Sequence, residues 1–517
     1  MKRIILDGES LTIQKVHLAA YGPCSISFSP DAKRRMAASR RLVERWVAKG
    51  ERVYGVTTGF GELANVAISP EDVEQLQKNL IVSHAAGAGD PLPPEVVRAM
   101  MVLRMNALAK GYSGVRLETM DFLRYAFNAG IIPIIPSRGS VGSSGDLVQL
   151  AHLVLALMGK GKALHGDIVM NSNLALKKAG LAPLALSAKE GIALINGTQM
   201  MTAYGALASH AARELCAVAD IAAAMSVEAL RGTDTAFDPR IHKLRPHKGQ
   251  AASAANLRKL MQGSEIRESH RHGDAKIQDA YSLRCIPQVH GASRDAVNYV
   301  WDVVTTEMNS ATDNPLIFPE DGIHLEGGNF HGQPVALALD FLAIALSELA
   351  SISERRIERM VNGMLSGLPR FLTERGGLHS GLMIAQYTAA SLVSENKVLA
   401  HPASVDSIPT SANLEDHNSM GSVAALKVWQ VLQNVQTVVA IELMVAAQGI
   451  DFSRIHPRTK KLMKPGRGVY AAHREIRKHI PHLDRDRVLH GDIQTALRIL
   501  KAGTVLQGVE KTIGTLM

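Results

Sequence analysis

The stretch PIIPSRGSVGSSGDLVQLAHL, from Pro133 to Leu153, sets a glycine- and serine-rich segment between two apolar ones. Residues 139–145 hold three glycines and three serines, and the apolar residues after Asp146 predict a buried helix. Glycine loses much backbone entropy on folding and serine competes for backbone hydrogen bonds, so neither is favoured in a packed core. Because packing does not account for these residues, the segment is a candidate functional site.

Two familiar functional loops are excluded by the residue at position 146. A phosphate-binding loop needs Lys-Ser or Lys-Thr after its last glycine, whereas Gly145 is followed by Asp146, whose charge repels phosphate. A Gly-x-Ser-x-Gly nucleophile elbow that starts at Gly142 would need glycine at position 146.

Two interpretations of the segment stay open on residue types alone. In one, Ser144 or Asp146 caps a helix that starts near Leu147. In the other, the amide nitrogen of Gly145 attacks the carbonyl carbon of Ser143 in a tight turn, which the missing Cβ of glycine permits. Loss of water and elimination of the Ser144 hydroxyl then leave a methylidene on an imidazolone, an electrophile made from chain atoms alone.

Composition indicates a helical protein of more than one compact unit. The chain has 517 residues, 46% of them hydrophobic and only 4% aromatic, which suits helix-on-helix packing better than a β-sandwich. Apolar spacing predicts a helix from residue 70 to about 87 and long helices over residues 334–361, 380–396 and 421–449.

Charge and cysteine content exclude several other classes of protein. The apolar stretches 335–349 and 431–445 carry charged and amide side chains, so neither predicts a membrane span. The first residues lack a secretory apolar region, and three scattered cysteines fit neither a disulfide framework nor a zinc knuckle. Much of the net charge of +9 lies in residues 454–478, which we interpret as a solvated loop and helix. We therefore expect a cytoplasmic protein that binds neither nucleic acid nor membrane.

The sequence resembles the histidine and aromatic amino acid ammonia-lyase family over nearly its whole length. Its GSVGSSGDL, residues 139–147, is similar to the family's GSVGASGDL, in which Ala-Ser-Gly cyclises autocatalytically into a 4-methylideneimidazole-5-one (MIO) group. The resemblance implies that Ser143, Ser144 and Gly145 form this group, with Ser143 in place of the usual alanine. It thus implies a built-in prosthetic group with no diffusible cofactor and no metal.

The same resemblance implies a mainly α fold of the fumarase/histidase type. We expect a glycine-rich N-terminal domain over residues 1–205, with a tyrosine loop and the MIO site, followed by an elongated bundle of long helices over residues 206–517. The family also implies a homotetramer whose active sites draw residues from three subunits.

Five further segments match the family's motifs in order: VYGVTTGFGEL, LINGTQ, QDAYSLRC, GGNFHGQP and SANLEDH. The resemblance assigns catalytic roles to Tyr54, Ser143, Ser144, Gly145, Tyr281 and Glu415, and substrate binding to His84, Asn196, Gln278, Arg284, Phe330 and Met383. Taken singly, three of these residues have ordinary structural alternatives: a surface ion pair for Arg284, an amphipathic cap for Tyr281 and a core position for Phe330.

The chemistry of such a reaction explains the residue types. Removing ammonia from an α-amino acid needs a better leaving group and a base for the β-proton, which an electrophile and a tyrosine of lowered pKa would supply. We expect Tyr54 to be that base, and we expect Arg284 to hold the substrate carboxylate by two parallel hydrogen bonds.

Three features resemble the histidine lyases in particular: the pair Ser83-His84, the carboxylate Glu415 and Met383. His84 offers a ring nitrogen to an imidazole, which leucine cannot do. Conversely, YGVTTGFG and Ala280 resemble the lyases of other aromatic amino acids. The prediction is deamination of L-histidine to trans-urocanate and ammonia. The alternatives are action on phenylalanine, tyrosine or a modified histidine, an aminomutase, and an inactive scaffold or basic nucleic-acid binder.

Overall fold

The computed structural model describes residues 2–61, 64–274 and 276–517. The chain forms two compact units, each built from separate segments. The first contains Met1–His210, Val300–Asp340 and Pro402–Lys427, and the second contains Ala211–Tyr299, Phe341–His401 and Val428–Met517. The two predicted domains, residues 1–205 and 206–517, stay a prediction; these compact units differ from them because two later segments belong to the first unit.

Helices make up most of the described structure, which confirms the mainly α prediction. Up to residue 195 they are α1 (Ile13–Tyr21), α2 (Pro30–Lys49), α3 (Val73–His84), α4 (Pro94–Ala109), α5 (Leu117–Asn128), α6 (Leu147–Leu157), α7 (Ser172–Lys178) and α8 (Glu190–Ile195). From residue 199 they are α9 (Gln199–Ala229), α10 (Pro239–Leu244), α11 (Lys248–Leu260), α12 (Glu265–Glu268), α13 (Tyr281–Arg284), α14 (Ile286–Glu307), α15 (Gln333–Val361), α16 (Gly363–Ser366), α17 (Met383–Leu399), α18 (Gly421–Ser453), α19 (Arg467–His479), α20 (Leu489–Lys501) and α21 (Thr504–Ile513). Short 3-10 turns lie at Thr235–Phe237, Arg370–Leu372 and Ser411–Asn413.

The predicted long helices are confirmed as α15, α17 and α18, with ends shifted by up to four residues. The helix predicted from residue 70 begins instead at Val73. Its preceding residues form a turn in which the Ser69 hydroxyl donates to the Asp72 carboxylate at 2.8 Å and accepts from the Asp72 amide at 3.3 Å. Serine and aspartate close such turns readily, which delays the helix.

The named strands lie in the first unit and form four small sheets. They are β1 (Lys2–Leu6), β2 (Cys24–Phe28), β3 (Ala88–Pro91), β4 (Ile131–Pro133), β5 (Pro136–Arg138), β6 (Lys162–His165), β7 (Ile168–Asn171), β8 (Leu316–Phe318) and β9 (Ile323–Leu325). β1 and β2 pair in parallel, with Ile4 opposite Ile26. The pairs β3–β5 and β8–β9 and the sheet β4–β6–β7 are antiparallel. The two strands β4 and β5 lead directly into the segment 139–145.

Two helices, α15 and α18, are long and apolar enough by composition to cross a membrane. Their most apolar windows are 67% and 83% buried within the protein. Burial of this extent is typical of core helices, which bury an apolar stripe against neighbouring elements.

A cluster of buried side chains in the first unit fixes the segment that carries Tyr54. Leu42, Val43 and Trp46 of α2 pack with Val53 and Val56, which flank the tyrosine in sequence. Val56 is fully buried and Val53 is 2% exposed. Since burying one such side chain contributes about 1.5–3 kcal/mol, this packing anchors the base of the tyrosine loop.

Candidate active site

The Ser143-Ser144-Gly145 turn is held against a second turn by main-chain atoms. Gly145 pairs with Gly197 as an isolated parallel bridge, and the Asp146 amide donates to the Gly197 carbonyl at 2.8 Å. Gly145 has φ of +74°, and a Cβ there would overlap the Gly197 carbonyl. Glycine is therefore required at position 145 by both conformation and space.

Asp146 stands at the N-cap position of α6, as the sequence suggested, but its side chain caps a different helix. Its carboxylate accepts from the amides of Met200 and Met201 in α9 at 2.8 and 3.0 Å, and from the Ser422 hydroxyl at 2.8 Å. The first turn of α6 is instead bonded by the side chain of Ser140, whose hydroxyl accepts a hydrogen bond from the Val148 amide at 3.0 Å. Asp146 thus occupies the predicted N-cap position of α6, and its carbonyl accepts from the Leu150 amide at 3.0 Å, but no capping hydrogen bond from its side chain is formed there. Complete burial raises the pKa of Asp146 to about 6.

A cavity of about 430 Å³ in the first unit brings seven of the predicted site residues together. They are Tyr54, His84, Ser143, Ser144, Asn196, Phe330 and Glu415. Phe330 is half-buried in the cavity wall, so the alternative of a core position does not describe it. Gly145 lies directly behind the serine pair, in its contact with Gly197.

Glu415 connects the two serines to the opposite wall of the cavity. One carboxylate oxygen accepts from the Ser144 hydroxyl at 3.0 Å, and the other accepts from the Ser143 hydroxyl at 3.2 Å. The second oxygen also accepts from the Thr410 hydroxyl at 2.7 Å. Hydrogen bonds to an ionised carboxylate are stronger than neutral ones, so this set fixes the orientation of both serine side chains.

Tyr54 lies in the cavity with its hydroxyl accepting from the Gly61 amide at 3.2 Å. Burial raises the pKa of Tyr54, and the carboxylates of Glu326 and Glu415 raise it further, while the Gly61 amide opposes this. The expectation of a lowered pKa is therefore wrong for this chain by itself. The sequence did not show that two carboxylates lie near the ring.

His84 ends α3 and presents its ring to the same cavity. Its Nδ1 lies 3.1 Å from the hydroxyl of Ser83. Burial lowers the pKa of His84, although the Leu80 carbonyl and the Glu415 carboxylate act in the opposite direction. The ring is thus neutral at neutral pH and keeps one nitrogen as a hydrogen-bond acceptor.

Asn196 follows α8 and is 4% exposed. Its backbone carbonyl accepts from the buried Arg104 guanidinium at 2.7 Å. Its side-chain oxygen has no hydrogen-bond partner among the described residues. A buried acceptor without a donor costs free energy, so this amide is oriented to receive a donor from a bound molecule.

Four predicted site residues, Gln278, Tyr281, Arg284 and Met383, belong to the second unit and do not line this cavity. The Arg284 guanidinium lies 4.6 Å from the ring centre of Tyr281. Among the described residues the Arg284 guanidinium thus contacts an aromatic ring rather than a carboxylate, and α13 has no side-chain capping hydrogen bond. Tyr281 is 71% exposed. Neither structural alternative for this pair applies.

Sequence reasoning missed several residues of the cavity wall: Phe60, Gly61, Leu80, Leu147, Ile192, Asn314, His331, Ser411, Leu414, Asp416 and His417. Eight of them had a signal, since Phe60, Gly61, Leu147, Ser411, Leu414 and Asp416 stand in matched motifs. So do the two histidines, His331 and His417. Their rings stack at 5.9 Å between centres, and a ring nitrogen of His331 lies 3.1 Å from the His417 carbonyl. Leu80, Ile192 and Asn314 lie outside those motifs and had none, because burial alone does not distinguish a cavity wall from a core.

Metal-binding side chains do not cluster in the part of the chain that the structure describes: no group of three or more His, Cys, Asp or Glu side chains is placed to hold an ion there.

The aromatic amino acid lyase family matches residues 11–478 of the chain. The histidine ammonia-lyase of Caldanaerobacter subterraneus subsp. tengcongensis is 55% identical over 505 residues, which cover 98% of each chain. The crystal structure of histidine ammonia-lyase from Trypanosoma cruzi superposes with a TM-score of 0.91 at 45% identity, covering 99% of this chain and 96% of that one.

The tyrosine aminomutase of Streptomyces globisporus superposes with a TM-score of 0.93 at 37% identity, over the full length of both chains. The likeness therefore extends over the whole fold and includes the segments that build the cavity. A chain that matches the family over this length, and that places its serine pair, tyrosine and glutamate around one cavity, belongs to the aromatic amino acid lyase family.

Proposed function

We propose that the protein is an ammonia-lyase that converts L-histidine into trans-urocanate and ammonia. The single observation that carries the proposal is the cavity in which Ser144, Tyr54 and His84 meet around Glu415. The serine pair provides the reactive segment, and His84 provides a polar partner for an imidazole ring. The high identity to an enzyme named histidine ammonia-lyase supports the same substrate.

The residues Ser143, Ser144 and Gly145 fit the precursor of an MIO group. The left-handed Gly145 leaves no room for a Cβ, and the Ser144 hydroxyl, which leaves as water in the elimination that follows cyclisation, is oriented by its hydrogen bond to Glu415 at 3.0 Å. The Ser143 side chain only decorates the ring and already has an acceptor in Glu415. The group, once formed, supplies an electrophile that captures the substrate amine and makes it a better leaving group.

Tyr54 is the base for the β-proton in this proposal. The proton passes from the β-carbon to the phenolate oxygen, the electrons of that bond form the double bond, and the C–N bond breaks with its electrons on nitrogen. The Gly61 amide, which donates to the Tyr54 oxygen, stabilises the phenolate. Because burial raises the pKa of Tyr54, its phenolate is a stronger base than free tyrosinate.

The substrate carboxylate needs a cation and hydrogen-bond donors. We assign it to Arg284, assisted by Gln278 and by the side-chain NH2 group of Asn196, and we keep Tyr281 as a catalytic residue. A homotetramer in which neighbouring subunits bring these residues to the cavity would complete the site. Tyr281 is 71% exposed and Ile277 beside it is 99% exposed, which supports burial of this segment against another subunit.

The substrate ring is placed between His84, Phe330 and Met383. His84 bonds a ring nitrogen, and Glu415 disfavours an apolar phenyl ring, whose contact with a charge costs desolvation. The proposal includes a cytoplasmic location and no binding to nucleic acid or membrane, on the grounds of composition given above.

The experiment is incubation of the purified protein with histidine, phenylalanine and tyrosine separately, followed by identification of the product. Urocanate with release of ammonia is the expected result from histidine. Cinnamate or coumarate would assign another aromatic substrate, and a β-amino acid without ammonia would assign an aminomutase. Intact-mass measurement accompanies the assay: the chain should lack two water molecules, and the Ser144→Ala variant should keep its full mass and lose activity.

A further inference from the structure

The Ser83 hydroxyl has two neighbours that together determine how its proton is used. It donates to the Leu80 carbonyl at 3.1 Å, one helical turn back in α3. It also lies 3.1 Å from Nδ1 of His84. The Leu80 carbonyl is also a hydrogen-bond partner of the His84 ring, and because a carbonyl never donates, the ring nitrogen in this group carries a hydrogen. With its own proton given to Leu80, the Ser83 hydroxyl accepts from that nitrogen.

This arrangement selects one form of the His84 ring. Because Ser83 only accepts, Nδ1 of His84 carries the ring hydrogen. The Leu80 carbonyl acts on the ring in the same direction, since it favours a protonated nitrogen. Burial lowers the pKa of His84, so the ring carries one hydrogen rather than two at neutral pH. The other nitrogen, Nε2, is left with a free lone pair.

We propose that Ser83 is a positioning residue that holds His84 in its Nδ1–H form, so that Nε2 accepts a hydrogen bond from an N–H group of the substrate ring. This inference rests on the proposed function and narrows its substrate class to amino acids whose ring carries an N–H donor. Ser83 does not line the cavity and acts through His84 alone. The direction of the hydrogen bond, rather than the mere presence of a histidine, then determines ring selectivity.

The kinetic test compares L-histidine with L-β-(4-thiazolyl)alanine, which has a ring of similar size and no N–H group. The wild-type protein should prefer histidine. In Ser83→Ala the ring of His84 is free to exchange its hydrogen between nitrogens, so kcat/KM for histidine should fall by roughly tenfold, the effect of one ordinary hydrogen bond. In the same variant, kcat/KM for thiazolylalanine should stay within about twofold of the wild-type value. Ser83→Thr keeps the hydroxyl and should restore the preference.

Asn79→Ala is the matched control, because Asn79 is an exposed residue of the same helix whose side-chain oxygen accepts from the exposed Gln75 amide at 2.7 Å. It should leave both kcat/KM values unchanged. If Ser83→Ala instead disturbed the packing of the helix, kcat/KM would fall in the same proportion for both substrates. Such a parallel fall, or an unchanged ratio, would overturn the inference.

A second measurement, by ¹⁵N NMR, determines which nitrogen of the His84 ring carries the hydrogen, and it does not depend on activity. In protein labelled with ¹⁵N-histidine, the His84 signals are those that disappear in His84→Asn. The wild type and Ser83→Thr should show a protonated Nδ1 and an unprotonated Nε2, and Ser83→Ala should show a mixture of the two forms. A wild-type ring protonated at Nε2 contradicts the inference while leaving urocanate production in place. Absence of urocanate from the wild type rejects both proposals together.

Discussion

Glu415 accepts a hydrogen bond from the Ser144 hydroxyl at 3.0 Å, although 271 positions separate the two residues in sequence. The contact joins the reactive segment to the loop that forms the opposite wall of the cavity. The same carboxylate also accepts from the Ser143 hydroxyl, at 3.2 Å.

Replacing this carboxylate by an amide tests its charge at nearly constant volume. Glu415→Gln should reduce kcat by at least about 100-fold, the usual loss when an acid–base or charge-stabilising group is removed. KM for histidine should change much less. Glu320→Gln, which removes an exposed carboxylate in the same unit, should leave both constants unchanged. A kcat within a factor of a few of the wild type would remove Glu415 from the chemistry.

Gly145→Ala tests the close contact behind the serines, with Gly180→Ala as its control. The two glycines have nearly the same φ, +74° and +72°, but nothing lies within 4 Å of a Cβ at Gly180. Gly180→Ala should lower the free energy of unfolding by about 1–2 kcal/mol, the cost of a left-handed alanine. Gly145→Ala should lower it by more than about 3 kcal/mol and prevent the loss of two waters. Denaturant unfolding measures both free energies. If the two variants lose the same free energy of unfolding, the protein has relieved the overlap between the new Cβ and Gly197.

Tyr54→Phe keeps the ring and deletes the hydroxyl. We expect kcat to fall by roughly 10²- to 10⁴-fold, with KM little changed, because the hydroxyl acts in the proton transfer. Since burial raises the pKa of Tyr54 and its ionised form is the base, wild-type kcat should rise toward alkaline pH. That rise should be missing from the residual activity of the variant. A similar pH profile in both proteins would assign the base to another group.

His84→Leu tests the choice of substrate ring. Leucine leaves an imidazole nitrogen unpaired, which costs about 1–3 kcal/mol, or roughly 10- to 100-fold in kcat/KM for histidine. Activity on phenylalanine should hold or increase, because leucine offers an apolar wall. The ratio of the two kcat/KM values is the measurement. If it is the same in both proteins, His84 does not contact the substrate ring.

Glu228→Gln tests a buried carboxyl in the second unit. Burial raises the pKa of Glu228 from 4.5 to about 8, with the carboxylate against the Gly466 amide. Between these two values the folded protein binds more protons than the unfolded chain, so wild-type stability falls as pH rises. The glutamine variant lacks this dependence, and its stability relative to the wild type should grow by roughly 4 kcal/mol from pH 4.5 to 8. Denaturant unfolding at both pH values measures the change.

A matched substitution of an exposed glutamate, Glu348→Gln on α15, should give the same difference from the wild type at both pH values. If Glu228→Gln behaves in the same way, its carboxyl is already ionised in the folded protein.

The sequence predicted the helical fold and the composition of the cavity better than the bonds inside it. Ser143, Ser144, Tyr54 and Glu415 were found from their motifs, because each motif is a local pattern. Asp146 was placed correctly at the start of α6, but the bonds of its side chain to α9 were missed, since those partners lie 54 and 55 residues further along the chain. Only the folded chain brings such distant donors to one carboxylate.

Local sequence patterns also did not reveal the electrostatic environment of the site residues. The pKa of Tyr54 is raised rather than lowered because its hydroxyl is buried and because Glu326 and Glu415 approach it from distant positions. A motif gives the type of a side chain, whereas a pKa depends on everything that packs around it. The four site residues of the second unit show the same limit, since their motifs specify chemistry and not location.

The contact between Gly145 and Gly197 consists of main-chain atoms, as does the hydrogen bond from the Asp146 amide. Among the cavity side chains, Glu415 orients the two serine hydroxyls, whereas this main-chain frame places the turn itself. Positions such as Leu80 and Ile192 in the cavity wall are therefore free to diverge without loosening that frame. A new ring preference is accessible by a few substitutions there, which makes this scaffold a favourable starting point for directed evolution of selectivity.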